Sequence, residues 1–255
     1  MSMLTLYPSL KDQSVLITGG ATGIGATLVR QFAAQGAKVG FIDIDVENAR
    51  ALQASVAEEL GKRVHFVRGD VTDTDELRQS IGDIRAKIGP IRVLLNNAAN
   101  DQRHLIEDTT PQSWDAGVAV NLKHQFFAAQ EVAPDMKGLG GGSIVNFGSV
   151  SWMLKQGGMP VYTTCKAAVQ GLTRSLARDF GPFHIRVNTL VPGWTMTEKQ
   201  LRLWVTPESK AELARAQCLP GELMPEHIAK AALFLASDDS EMMTAQDLIV
   251  DGGWT

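Results

Sequence analysis

The chain is predicted to fold as a single α/β domain, a doubly wound parallel sheet with helices on both faces. Short apolar, β-branched runs alternate with segments of helical period along its whole length. The first of these runs leads through a glycine-rich loop directly into a helix. With 255 residues, 44% of them hydrophobic, the chain can bury one sizeable core, and α/β folds of this length stay undivided. Repeats, low-complexity tracts and linkers are absent. One domain is therefore expected over 1–255, with a nucleotide-binding half at about 12–100 and a catalytic and substrate half at about 101–255.

The strand-like runs lie at 14–18, 38–43, 63–68, 91–95, 143–147, 185–190 and 247–250. Helix-period segments fall between them at 24–35, 46–60, 75–88, 114–136, 162–179, 197–216 and 226–236. Thr74 precedes acidic residues, as helix N-termini often do, and Pro225 suits the first turn of the last helix. Trp114, at helical spacing with Val118, is expected in the core. The segment at about 194–216 reads as a lid, with Met196, Leu201, Leu203 and Trp204 on its helix.

A formal net charge of −4 argues against nucleic acid or an anionic membrane as partner. Cys165 and Cys218 are the two cysteines, so neither a disulfide framework nor a zinc cluster is implied and no metal is expected. The opening ten residues show no basic segment followed by a long apolar run. No apolar run reaches the roughly 18 residues needed to span a bilayer. A cytoplasmic protein is the expectation.

The first strand runs into T-G-G-A-T-G-I-G, Thr18 to Gly25. Gly19, Gly23 and Gly25 permit a tight turn, a close approach of backbone N–H groups to a pyrophosphate, and close packing of helix on strand. The helix N-terminus then faces the anion. The second strand ends in Asp43, 18 positions after Gly25. A carboxylate there accepts hydrogen bonds from ribose hydroxyls and repels a 2′-phosphate. Ile44 and Thr22 are neutral, so NAD is favoured over NADP, and Asp45 is read as solvated. Asp70-Val71 and Asn96-Asn97-Ala98-Ala99 follow strands three and four, where ligands sit in open parallel sheets. Asp70 suits the adenine amino edge, and Asn96 suits a bridge between strands.

The chemistry is placed in 149–166. Tyr162 and Lys166 stand four apart ahead of an apolar run of helical spacing, so both leave one face of a helix. A cation beside a phenol favours the phenolate and fits it for general-base work near neutral pH. Ser149, 13 residues upstream at the end of a strand-like run, offers a hydroxyl to hold a substrate oxygen.

T-G-x-x-x-G-x-G at 18–25, N-N-A-A at 96–99, Asn121 in V-N-L, Ser149, Tyr162-x-x-x-Lys166 and Pro192-Gly193 together resemble the short-chain dehydrogenase/reductase family. They appear in its order, near its spacings, over nearly the whole chain. The terminal V-D-G-G-W-T is similar to the family's usual ending. The resemblance implies a seven-stranded Rossmann sheet in a homodimer or homotetramer. It implies Tyr162 as general acid/base, Lys166 as its pKa modulator and a contact to the nicotinamide ribose, Ser149 as the group orienting substrate, and Asn121 as support for a proton-carrying water. The NAD site would draw on Gly19, Thr22, Gly23, Ile24, Gly25, Asp43, Ile44, Asp70, Val71, Asn97, Ala98, Ala99, Pro192, Gly193 and Thr195, besides Tyr162 and Lys166. Ala99 stands where the family usually has Gly, and its methyl narrows the floor of the cofactor site.

Three further segments resemble bacterial NAD-dependent aldose 1-dehydrogenases, the D-xylose enzymes in particular. They are 97–104, 146–152, and the stretch from Val191 through Thr206-Pro207-Glu208 to Leu219. The likeness implies oxidation of a free aldose of the D-xylose, L-arabinose or 6-deoxyhexose type at C1. Asn100, Asp101, Ser149 and Tyr162 would bind sugar hydroxyls, with Trp152 or Trp194 covering the ring's apolar face; His104 is either such a donor or a solvated loop residue. A 3-oxoacyl thioester reductase is the competing reading, opposed by Asp43 and the negative charge. A non-catalytic nucleotide-binding regulator is the remote one, opposed by the intact Asn121, Ser149, Tyr162 and Lys166. Helices at 114–136 and 162–179 are candidate interfaces, because Ala128, Ala129, Ala167, Ala168 and Gly171 allow close helix approach.

Overall fold

The structure is a computed structural model, and it describes residues 5–255. The reading of the opening ten residues rests in part on Met1–Leu4, which lie outside the described residues. Seven parallel strands form one sheet: Ser14–Thr18 (β1), Lys38–Asp43 (β2), His65–Arg68 (β3), Val93–Asn96 (β4), Gly142–Phe147 (β5), Ile185–Pro192 (β6) and Asp247–Val250 (β7). Their order is β3-β2-β1-β4-β5-β6-β7. The order reverses between β1 and β4, which opens a crevice at the carboxyl ends of the strands. This is the single-domain Rossmann-like α/β fold expected.

Helices Gly23–Ala34 (α1), Val46–Leu60 (α2), Thr74–Ile88 (α3), Pro111–Val118 (α4), His124–Gly138 (α5), Pro160–Phe180 (α6), Glu198–Leu203 (α7), Pro207–Ala216 (α8) and Pro225–Ala236 (α9) complete it. Capping sets several starts: Asp45 accepts from Asn48 N–H, and Asp73 from the N–H groups of Asp75 and Glu76. Asp45 is thus a helix cap as well as a partly solvated residue. One core packs Leu28 and Phe32 of α1, Leu52 and Val56 of α2, and Ile228 and Leu233 of α9 on one face of the sheet. The other packs Ile81 and Ile84 of α3, Val132 and Met136 of α5, and Leu176 of α6 on the opposite face. Each such side chain contributes roughly 2 kcal/mol on burial, far more than its helix propensity.

The carboxyl ends are tied together by polar side chains. Thr18, Asn96, Asn146 and Thr189 stand in register across β1, β4, β5 and β6. Asn96 Nδ2 donates to Asn146 Oδ1 at 2.9 Å, so Asn96 does bridge strands. Asn146 Nδ2 and Thr189 Oγ1 both meet Thr173 Oγ1 at 3.0 Å, which fixes α6 over this end of the sheet.

Four expectations need correction. The helix expected at 114–136 is interrupted by a π turn at Ala119–Lys123, between α4 and α5. The lid helix expected at 197–216 is two helices. Thr206, extended before Pro207, cannot continue α7 and instead caps α8 through a capping box with Ser209. Trp114 is 39% exposed on α4 and lies outside both cores. Ala128 and Ala129 are fully buried in the core beside Val132, so they are not free for an interface, whereas Ala168 and Gly171 are exposed.

Candidate functional site

A cavity of about 610 Å³ runs along the carboxyl ends of the strands, from Ile44 to Lys199. At one end its wall is backbone. Gly19 has a φ of +68°, and a Cβ there would stand 2.7 Å from the Cα of Ala98. A Cβ on Gly25 would fall 1.8 Å from the Gly19 carbonyl oxygen. Only glycine fits either place. Asn97 Nδ2 holds the turn by donating to the carbonyls of Thr18 and Gly19, at 3.1 and 2.8 Å. Ala98 N–H donates to Thr18 Oγ1 at 3.1 Å. Gly23 opens α1 beside Thr197, and Thr22, Ile24 and Gly25 line the cavity. The turn and helix N-terminus leave a cradle of the shape a pyrophosphate needs.

Asp43 lines the same end, its carboxylate accepting from Ala21 N–H at 2.8 Å and Asp45 N–H at 3.0 Å. Ile44 lies exposed at the rim. Asp70 and Val71 line the wall from the β3 loop, and Asp70 Oδ1 accepts from the N–H and hydroxyl of Thr72. Ala99 also lines the cavity, and its φ is not positive. Its methyl therefore adds bulk to the wall without backbone strain. Pro192, Gly193 and Thr195 close the cavity from the end of β6, where a Cβ on Gly193 would meet Asp251 Cα at 2.7 Å.

The middle of the cavity holds Ser149, Tyr162 and Lys166. Lys166 is almost wholly buried, and its Nζ donates to the Phe147 carbonyl at 2.7 Å. Burial pushes its pKa down to about 8. Nζ lies 5.5 Å from the centre of the Tyr162 ring. Burial pushes the Tyr162 hydroxyl up to about 12; a hydrogen bond with Ser149 opposes this, the charge of Asp101 adds to it, and the charge of Arg103 opposes it. Burial is the largest of these influences on Tyr162, while the Lys166 ammonium is engaged by the Phe147 carbonyl. Ser149 Oγ also accepts from Ser151 N–H.

Asn121 sits in the π turn, buried and outside the cavity wall. Its Oδ1 accepts from Asn100 N–H at 2.9 Å, and its Nδ2 donates to the carbonyls of Asn100 and Gly117. It clamps the loop after β4. His124, on the next turn, is buried with its pKa pushed down to about 3 and stays neutral.

The other end is walled by side chains. Asn100, Asp101 and Trp194 line it as expected. Asp101 accepts from Lys199 Nζ and Gln200 Nε2, both at 2.7 Å, and Gln200 Oε1 accepts from Trp194 Nε1 at 2.9 Å. These links join the β4 loop to α7. Trp152 is not in the cavity wall, since its turn, Val150–Trp152, carries it aside. His104 is likewise outside the wall, its backbone N–H donating to Gly158. Of the expected lid residues, Met196 is buried ahead of α7, and Leu201 and Leu203 are exposed. Arg103 and Lys199, basic residues of the 97–104 segment and the lid, line the cavity, as do Met159, Gln200 and Trp254, which were not singled out as site residues in the sequence. The signal for Arg103 was its place in the 97–104 segment, as a cation beside the expected substrate pocket. Among the described residues, no group of three or more His, Cys, Asp or Glu side chains could hold a metal ion. No helix there is long and apolar enough to cross a membrane.

A family profile described as enoyl-(acyl carrier protein) reductase matches residues 19–255. A protein named probable galactose dehydrogenase, from Rhizobium meliloti, is 48% identical over 97% of this chain and 96% of its own. D-Xylose 1-dehydrogenase of Caulobacter vibrioides is 46% identical over 98% of each chain. The chain belongs to the short-chain dehydrogenase/reductase family. The structure of a 7α-hydroxysteroid dehydrogenase complexed with NADH and 7-oxo glycochenodeoxycholic acid aligns with a TM-score of 0.91 at 31% identity, covering 96% of both chains. As a short-chain dehydrogenase/reductase the protein is an oxidoreductase acting on CH–OH donors, with a nicotinamide cofactor and a small-molecule substrate. The glycine cradle and the Asp43 carboxylate fit that cofactor's pyrophosphate and ribose.

Proposed function

We propose that the protein oxidises the C1 hydroxyl of a free aldose of the D-xylose, L-arabinose or 6-deoxyhexose type to the aldonolactone, with NAD⁺. The observation that carries this reading is one cavity with two unlike ends. A glycine-built cradle carrying Asp43 lies at one end, and a polar wall of Asn100, Asp101, Arg103 and Gln200 beside Trp194 lies at the other. Tyr162 and Ser149 stand between them. The sugar dehydrogenases that resemble the chain at 46% and 48% identity support the aldose.

In this reading Gly19, Gly23 and Gly25 admit the pyrophosphate, and Asp43 accepts from the adenosine ribose and repels a 2′-phosphate. The cofactor supplies, when bound, the acceptor for the hydride that leaves C1. Tyr162 takes the proton of the C1 hydroxyl, and Ser149 holds the same oxygen. The anomeric hydroxyl is more acidic than an ordinary alcohol, so less basicity is asked of the Tyr162 phenolate that takes its proton. Lys166 holds positive charge beside Tyr162 and toward the nicotinamide ribose, and Asn121 keeps the Asn100 loop in place. Activity in the cytoplasm as a homodimer or homotetramer completes the proposal, with the exposed Ala168 and Gly171 of α6 on the contact face.

A second reading, reduction of 3-oxoacyl thioesters, draws on a reductase of that kind from Thermotoga maritima that is 37% identical over 96% of this chain. Asp43 and the net charge of −4 oppose the NADPH and the acidic carrier such chemistry uses. The deciding experiment follows NADH formation with a panel of free aldoses and traps the lactone as its hydroxamate. Lactone from a pentose is the expected result. Turnover of acyl thioesters or steroids with none of any aldose would overturn the reading.

A further inference from the structure

Two opposite charges lie two residues apart on the loop after β4, and the structure treats them differently. The Asp101 carboxylate is occupied by Lys199 and Gln200. Arg103 lines the same cavity, half-buried, with no carboxylate within ion-pair distance among the described residues. Its side chain has one polar contact there, Nη1 on the Met159 thioether sulfur at 2.9 Å. A thioether is a weak acceptor, while a guanidinium offers several N–H donors in one rigid plane. Half-buried donors left without acceptors are costly unless a ligand or water meets them. The guanidinium carbon stands 5.3 Å from the centre of the Trp204 ring, so Trp204 holds the fork from one side. Arg103 lines the same cavity as Ser149 and Tyr162.

We propose that Arg103 is a specificity-determining residue whose planar fork, held between Trp204 and Met159, donates to two neighbouring hydroxyl oxygens of the sugar ring. The inference rests on the aldose reading above and names the group that reads the sugar. A fork of parallel N–H donors matches a pair of adjacent oxygens, which a single ammonium cannot do. Asp101, an acceptor only, cannot take this part, and Lys199 and Gln200 each already engage one of its oxygens. The loop after β4 therefore divides its work. Asp101 links to the lid, and Arg103 faces the substrate.

The test compares wild type, Arg103→Leu and Arg103→Lys on the best-oxidised aldose and on its 2-, 3- and 4-deoxy analogues. Wild type should lose roughly tenfold or more in kcat/KM when one of the contacted hydroxyls is removed. Arg103→Leu should lose about as much on the intact sugar and then no longer distinguish that deoxy analogue, with NADH affinity unchanged. Arg103→Lys should fall between, and it carries the same comparison should Arg103→Leu not fold. A purely structural role would lower all the sugars by one factor and preserve the wild-type ratios, and that result would overturn the proposal. Oxidation of no aldose by wild type would sink the aldose reading and this inference with it. Oxidation with unchanged ratios in both variants would sink this inference alone.

Discussion

The two ends of the cavity are built from different material. The glycine end is shaped by backbone, with contacts so close that Gly19 and Gly25 admit no side chain, and Asn97 bonds two carbonyls of the turn. The substrate end is shaped by side chains from the loops after β4 and β5, from α6 and from the lid, held by a few links such as Asp101 to Lys199. Those segments carry some of the buried polar atoms without partners, Ser151 Oγ, Trp152 Nε1, Thr163 Oγ1, His104 Nε2 and Trp204 Nε1 among them. A backbone-built wall serves one ligand geometry and tolerates no substitution. A side-chain wall can be re-cut for new substrates while the reacting groups stay in place, as expected where loops carry specificity on a rigid scaffold.

Substitutions at the two ends, and at the groups between them, should therefore fail in different ways. The largest effect is expected between the ends. Tyr162→Phe should lower kcat about a thousandfold, because it removes the proposed proton-transfer group, while NADH binding by fluorescence titration stays near wild type. Retention of more than a few per cent of activity would assign the base elsewhere. Gly25→Ala should next break the cradle, destabilising the fold by about 3 kcal/mol as the new methyl meets the Gly19 carbonyl. Denaturant unfolding reads it, and a midpoint equal to wild type would show that the turn yields. Then comes Asp43. Wild type should prefer NAD⁺ over NADP⁺ by about 100-fold in kcat/KM, since a carboxylate facing a phosphate costs several kcal/mol. Asp43→Ala should shrink that ratio, mainly by weakening NAD⁺, and equal use of both cofactors by wild type would refute the assignment.

What the sequence made legible follows the same division. The parallel sheet could be read because its buried strands are short β-branched runs, and the glycine turn because close backbone approach dictates residue type. Tyr162 and Lys166 could be paired because four residues on a helix share a face. The break at Ala119–Lys123 could not be read, since a π turn leaves the apolar period of its flanks almost unchanged. The split of the lid was written in Thr206-Pro207, a helix start that the helical periodicity across 197–216 masked. Trp114 was misplaced because spacing gives a helix face but not which face meets the sheet, and Ala128 because a small residue suits a close-packed core as well as an interface. Asp101 and Arg103 could be seen as polar loop residues, but their different partners are set by where α7 docks, and that is a tertiary fact.

The smallest predicted effect probes the link across the substrate end. Asp101 and Lys199 form an ion pair with Lys199 about half exposed, so losing it should weaken lid closure by less than about 1 kcal/mol and raise the sugar KM a few-fold. Asp101→Asn and Lys199→Met should share that rise. They should differ in pH dependence. The Asp101 charge holds the Tyr162 pKa up, so Asp101→Asn should lower it. The base works deprotonated, and its activity falls as pH drops through its pKa, so the acid limb of kcat/KM should move to lower pH in Asp101→Asn. Lys199→Met leaves Asp101 charged and strips away the ammonium that compensates it, so the limb should move to higher pH. The two variants thus separate a mechanical link from an electrostatic one. Opposite shifts with a common rise in KM would show that this end both closes over the sugar and tunes the base. Shifts in the same direction would show that the lid alone, and not the charge of Asp101, governs Tyr162.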